Sequence, residues 1–216
     1  MRRSARLGLL AGAILAPAAA QAQTQIYSND FESGIGANWG TAAILDSGVN
    51  FSSFIGRYSS GNGTILMLPT PSIGGLNPGE YPAYNLVFDL YTIDNWTGTA
   101  GGTHFNIWAN SVMVFDESFA TNGAAQSFRA PDVGPTNLGF GTSNDAIYRN
   151  ISVPLNLTSP PHIWIGFGST GLPSVSSGSW GIDNVRVNYT IVPAPASAGL
   201  LGLGGLAALR RRRPQN

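Results

Sequence analysis

Between residues 25 and 191, apolar side chains recur at every second position, in runs closed by clusters of glycine, proline, asparagine and serine. No segment holds a helical period for three turns. A period of two puts one row of side chains on each face of an extended strand, so such runs bury themselves only by pairing edge to edge and stacking as sheets. The clearest run is Tyr84-Asn-Leu-Val-Phe-Asp-Leu-Tyr91, where Tyr84, Leu86, Phe88 and Leu90 share a face. Ile147, Ile151, Val153, Leu155 and Leu157 form a similar row, interrupted at Arg149. Phe105 with Ile107, Ile163 with Ile165 and Phe167, and Val185 with Val187, Tyr189 and Ile191 supply others. Further strands are expected at about 25–32, 41–46, 63–68 and 111–116, and the 22 glycines of the body suit the tight turns between them. The expected fold class is all-β, an antiparallel β-sandwich of about nine strands arranged as a jelly roll, with its first and last strands paired.

Charge is divided unevenly. All 11 basic residues are arginines, and Arg2, Arg3, Arg6 and Arg210 to Arg213 lie in the two tails. The body keeps Arg57, Arg129, Arg149 and Arg186 against all 11 carboxylates, a net of minus seven. That field repels phosphate backbones and anionic lipid surfaces, so no nucleic-acid partner is expected. With no cysteine in the chain, disulfide frameworks and thiolate metal sites are excluded.

The ends read as addresses. Residues 1–22 combine a basic start, an apolar run from Leu7 to Ala19 and the small-x-small triplet Ala20-Gln21-Ala22, the pattern of a helical secretory signal peptide cut by signal peptidase. An apolar run of roughly 13 residues spans only about 20 Å as a helix, short of a membrane crossing. Residues 23–191 form the ectodomain. The tail, 192–216, holds Val192, Pro193 and Pro195, a short apolar helix over 196–209, and the cluster Arg210, Arg211, Arg212 and Arg213. Arginines after an apolar segment stay on the cytoplasmic side, which implies transient anchoring in the inner membrane with the domain facing outward. On these residues the tail resembles the PEP-CTERM sorting signal of Gram-negative bacteria, also known as the ice-binding protein C-terminal domain, with Ala194 where that signal usually has glutamate. The resemblance implies processing by exosortase and release to the cell surface or biofilm matrix, in the company of exopolysaccharide.

The body has a looser likeness. Asn29-Asp-Phe-Glu32, Leu86-Val-Phe-Asp-Leu-Tyr91 with Asp94-Asn-Trp96, and Ser179-Trp-Gly-Ile-Asp-Asn-Val-Arg-Val187 resemble the jelly-roll ectodomains common in PEP-CTERM proteins. These are similar to carbohydrate-binding modules and concanavalin-like sandwiches.

Few residues offer chemistry. His104 and His162 belong to no zinc motif, and no Gly-x-Ser-x-Gly elbow occurs. Carboxylate pairs suited to glycoside hydrolysis are Asp30 with Glu32, Asp89 with Asp94, and Asp116 with Glu117, which keeps a glycan-degrading enzyme as the alternative to a non-catalytic binder. In strict alternation Asp183 shares the apolar face of Val185, Val187 and Tyr189. A carboxylate there needs a cation or several donors, so Asp30, Glu32 and Asp183 form a candidate site for a structural Ca2+, with a turn-capping role for Asp183 as the other reading. Trp108 and Trp164 fall on the polar faces of their strands, in step with His104; exposed aromatics beside polar groups are what sugar rings stack upon, and a second small core covered by loops is the other reading. Trp96 and Trp180 read as packing residues in turns, and 118–145 is a long stretch with little pattern.

Overall fold

A computed structural model describes residues 22–157 and 160–193. The signal segment up to residue 21 and the tail from Ala194, with the expected helices and the Arg210 to Arg213 cluster, lie outside the described residues. The strands are β1 (Thr24–Asn29), β2 (Leu45–Gly48), β3 (Phe51–Tyr58), β4 (Thr64–Pro69), β5 (Tyr81–Asp94), β6 (His104–Ala109), β7 (Val112–Ser118), β8 (Val133–Thr136), β9 (Asp145–Pro154), β10 (His162–Thr170) and β11 (Gly178–Val192). One short helix, α1 (Gly98–Gly101), interrupts them.

The chain folds as an antiparallel sandwich. Sheet A runs β2-β3-β11-β5-β9-β8, with β1 also paired to β11, and sheet B runs β4-β10-β6-β7. Without β1, β2 and β8, each layer has four strands and the chain crosses between layers after β3, β4, β5, β7, β9 and β10, which is the double Greek key of a jelly roll. As expected, the first and last strands pair, with Thr24 opposite Tyr189 and Asn29 opposite Val185. The rows Tyr84-Leu86-Phe88-Leu90, Phe105-Ile107 and Ile163-Ile165-Phe167 meet in the main core.

Two strands, β3 and β8, were not expected, and for β3 burial explains why. In β3, Ile55 and Tyr58 face the main core while Phe51 and Phe54 face a second, smaller core on the outside of sheet A, so no polar/apolar alternation survives. That second core also takes Tyr91, Ile93, Leu138 and Ile147, with Phe140 packed against it. The stretch 118–145 therefore supplies both β8 and a cover for the outer core. β1 stops short of Glu32 because Asn29 closes an Asx turn: its Oδ1 accepts from the Phe31 N–H at 2.8 Å, and Phe31 adopts φ 57°.

Alternation also fails at two bulges. The β5–β9 register shifts between Phe88 and Leu90, where Asn150 has φ 52°. The β5–β11 register shifts between Asp183 and Arg186, where Asn184 has φ 50°. Each extra residue reverses which face the following side chains take. Ile147 therefore joins the outer core while Ile151, Val153 and Leu155 stay inside. For the same reason the expected grouping of Asp183 with Val185, Val187 and Tyr189 is overturned: Trp180 and Ile182 point inward with Val185, and Asp183 points to the other face.

Candidate functional site

The outer face of sheet B is where the aromatic residues singled out in the sequence come together. Phe105, Ile107 and Ala109 of β6 are buried in the core, which turns His104, Asn106 and Trp108 outward. On β10 the same alternation turns out His162, Trp164, Gly166 and Gly168. The register sets Trp108 opposite Gly166 and Asn106 opposite Gly168. Because neither glycine has a side chain, the indole of Trp108 lies along β10: a Cβ at position 168 would stand 3.1 Å from its Cζ3, and one at position 166 would stand 3.9 Å from its Cε3. The ring is thereby held by backbone on one side, half-buried, with its position fixed.

Trp164 stands beside this platform and is 50% exposed, with Met67 opposite it on β4 and also exposed. The His162 ring stacks near it, with centroids 6.4 Å apart and planes within 19°. A cavity of about 250 Å³ opens here, lined by Asn110, Ser111, Pro161, His162 and Trp164. Asn110 is a member of this site that the sequence reading missed. It sits in the β6–β7 turn, where Asn110 and Ser111 both have positive φ, and its side chain clamps β10: Oδ1 accepts from the Trp164 N–H at 2.8 Å and Nδ2 donates to the His162 carbonyl at 2.9 Å. The Asn-Ser pair between two alternating runs is the signal that marks such a turn.

At the opposite end of the face lies a polar cluster. Asp116 Oδ1 lies 2.7 Å from His104 Nδ1 and accepts from Asn106 Nδ2 at 2.7 Å. The Asp116 carboxylate and the His104 imidazole thus flank the aromatic strip, with the Asn106 amide buried beneath them. Together these groups supply flat apolar surface and directional hydrogen bonds, the two things a sugar ring needs from a protein.

The candidate ion ligands are placed differently. Asp183 is 1% exposed, and its Oδ2 accepts from Tyr91 OH at 2.7 Å and from Ser52 Oγ at 2.5 Å, while Oδ1 accepts from the Asn184 N–H at 2.6 Å. Glu32 accepts from the Ser53 N–H at 2.8 Å. Asp30 Oδ1 accepts weakly from the Glu32 N–H at 3.3 Å, and its side chain borders a cavity beside Asp89. Each of the three carboxylates is thus held by hydrogen-bond donors of its own. Among the described residues no three His, Asp or Glu side chains gather closely enough to hold a metal ion.

Several other carboxylates have partners of their own. Asp94 lies 3.7 Å from Arg57 Nη2, Asp116 holds His104, and Glu117 accepts from Ser127 Oγ. Asp89 pairs in register with Asp183 across β5 and β11, a carboxylate pair that sequence spacing does not reveal.

Burial raises the pKa of Asp183 above the ordinary carboxylate value, outweighing the bonds from Ser52, Tyr91 and Asn184, and Asp89 adds to the rise. The folded state therefore holds this proton more tightly than the unfolded chain does. Its contribution to stability is complete below the unfolded pKa of about 3.9 and is lost as pH rises through the folded pKa. Asp183→Asn cannot ionise, so it should gain stability relative to the parent protein as pH rises from about 4 to neutrality. Urea midpoints of both proteins at the two ends of that window check the sign; a difference that is flat or shrinks with pH would refute it.

No family model matches the chain, and no curated protein matches it. Several solved structures are similar in part. Dimeric latent PorU from Porphyromonas gingivalis matches over 72% of this chain and 14% of its own length, at 14% identity and a TM-score of 0.39. The C-terminal CBM6 of LamC, a marine laminarinase from Zobellia galactanivorans, matches over 78% of this chain and 98% of its own, at 16% identity and a TM-score of 0.32. The Agl-KA catalytic domain matches over 87% of this chain and 30% of its own, at 15% identity and a TM-score of 0.33.

Proposed function

We propose that the protein is a secreted, non-catalytic polysaccharide binder of the cell surface or biofilm matrix, which grips an exopolysaccharide on the outer face of sheet B. The observation that carries this reading is the Trp108 indole lying against Gly166 and Gly168, with Trp164 exposed on the same face. A ring fixed in advance loses little freedom when a sugar stacks on it, and anchors of this kind dominate binding energies. The net charge of minus seven on the body favours a neutral or cation-bridged glycan over a polyanion. Trp108→Ala and Trp164→Ala should each weaken retention in affinity gels cast with neutral polysaccharides by roughly tenfold or more, with unchanged folding. Retention that survives the double replacement, or reducing ends released from the same polymers, would overturn the reading.

Delivery rests on the two tails. The signal pattern of 1–22 and the order of prolines, apolar run and arginines in 192–216 support export followed by exosortase processing. Intact-mass measurement of native material should give a chain that begins near Gln23 and lacks Arg210 to Arg213. A retained arginine cluster would identify a permanent anchor instead.

A further inference from the structure

The two bulges in sheet A fall on either side of one residue, Asp89, and they build a second cavity on the face opposite the tryptophans. Asn150 on β9 and Asn184 on β11 both adopt the left-handed conformation, at φ 52° and φ 50°. The Asn150 N–H donates to Asp89 Oδ1 at 2.7 Å, and Asn184 Nδ2 donates to Asp89 Oδ2 at 3.0 Å. A single carboxylate thus holds open two neighbouring strands at the same level. Bulges of this sort re-aim side chains and collect beside binding sites. The space they open is a cavity of about 280 Å³. Asp89 and Arg186 line its inner part, and Ser28, Asp30, Asn150 and Asn184 its rim.

Every side chain on this wall is a hydrogen-bonding one, and they differ in sign. Arg186 Nη2 donates to Asn150 Oδ1 at 2.6 Å, which leaves Nε buried with no partner among the described residues. Donors and acceptors therefore alternate around the space: guanidinium, carboxylate, amide and hydroxyl. An anion would meet Asp30 and Asp89, and a bare cation would meet Arg186. A small neutral molecule rich in hydroxyl groups suits all of them, since each hydroxyl both donates and accepts. The volume lies just under the range of drug-sized pockets, which limits the occupant to about one ring.

We infer that this cavity is a subsite for a single neutral hexose unit, with Arg186 and Asp30 binding its hydroxyl groups over the floor formed by Asp89. The site lies on the outer face of sheet A and does not depend on the aromatic face of sheet B. Its test is a titration of the protein followed by amide and guanidinium NMR signals, with D-glucose, D-galactose and D-mannose as probes and D-glucuronate and calcium chloride as contrasts. At least one hexose should shift the Asn150 and Asn184 amides and Arg186 Nε–H at millimolar concentrations. Arg186→Gln should weaken that response tenfold or more, and so should Asp30→Ala, whose exposed side chain puts folding at little risk. Trp108→Ala with Trp164→Ala should leave it intact, which separates this site from the polysaccharide face. The inference falls if only glucuronate or calcium moves these signals, if no hexose does so at tens of millimolar, if the Asp30 and Arg186 variants respond as the parent protein does, or if the tryptophan variant abolishes the response.

Discussion

Trp180→Ala should cost about 3–5 kcal/mol of stability, read as a fall in the urea midpoint with an unchanged slope. The side chain is fully buried where β11 lies between β3 and β5. Its ring packs against Tyr58 at 4.7 Å and Phe105 at 5.0 Å between centroids, so it joins the two sheets. Its Nε1 donates to Ser169 Oγ at 3.0 Å, and truncation strands that hydroxyl in the core. Against a total stability of about 5–15 kcal/mol, such a loss removes a large share of the folded population's margin. Trp180→Phe keeps most of the ring contact and should cost clearly less. A Trp180→Ala protein within about 1 kcal/mol of the parent would contradict the packing described.

Asp145→Ala comes next in size and should act locally first. Asp145 is fully buried, and its two oxygens accept from the backbone N–H groups of Asp94 and Leu138, both at 2.8 Å. Removing the carboxylate leaves two buried donors unmatched, at about 1–3 kcal/mol each. Leu138 and Phe140 cover the outer core of sheet A, so the segment carrying them should loosen before the sandwich does. Limited proteolysis should cut between 137 and 144 in the variant at protease levels that spare the parent. Cutting at the same rate in both proteins would show that the loop is held by other means.

How far the fold could be read from sequence depended on whether alternation ran unbroken. The row Tyr84 to Leu90 did, because the extra residue of each bulge beside Asp89 belongs to the partner strands β9 and β11, and β5 itself keeps its pleat. Ile147 and Asp183 were misplaced for one shared cause, a left-handed asparagine that inserts one residue into the pleat. The polar pairs Arg149-Asn150 and Asp183-Asn184 within otherwise apolar strands are the trace it leaves, since asparagine tolerates positive φ better than most residues. β3 was illegible because both of its faces are covered, which erases the period. At the candidate site, Trp164 was visible as an aromatic out of step with its strand. The platform under Trp108 was not, because it exists only once the register brings Gly166 and Gly168 across from β6.

The pairing of the two ends has a mechanical consequence. Thr24 lies opposite Tyr189 and Tyr81 opposite Val192, so both ends of the described chain leave from one pole of sheet A. β11 is bonded to β5 from Gly178 to Val192, nearly its whole length. Tension applied at that pole and resisted at the face of sheet B would draw β11 along its own axis past β5, straining their hydrogen bonds in shear and together. Peeling, which breaks such bonds one after another at low force, would require a pull across the sheet instead. A pull at that pole along β11 would therefore load those hydrogen bonds together.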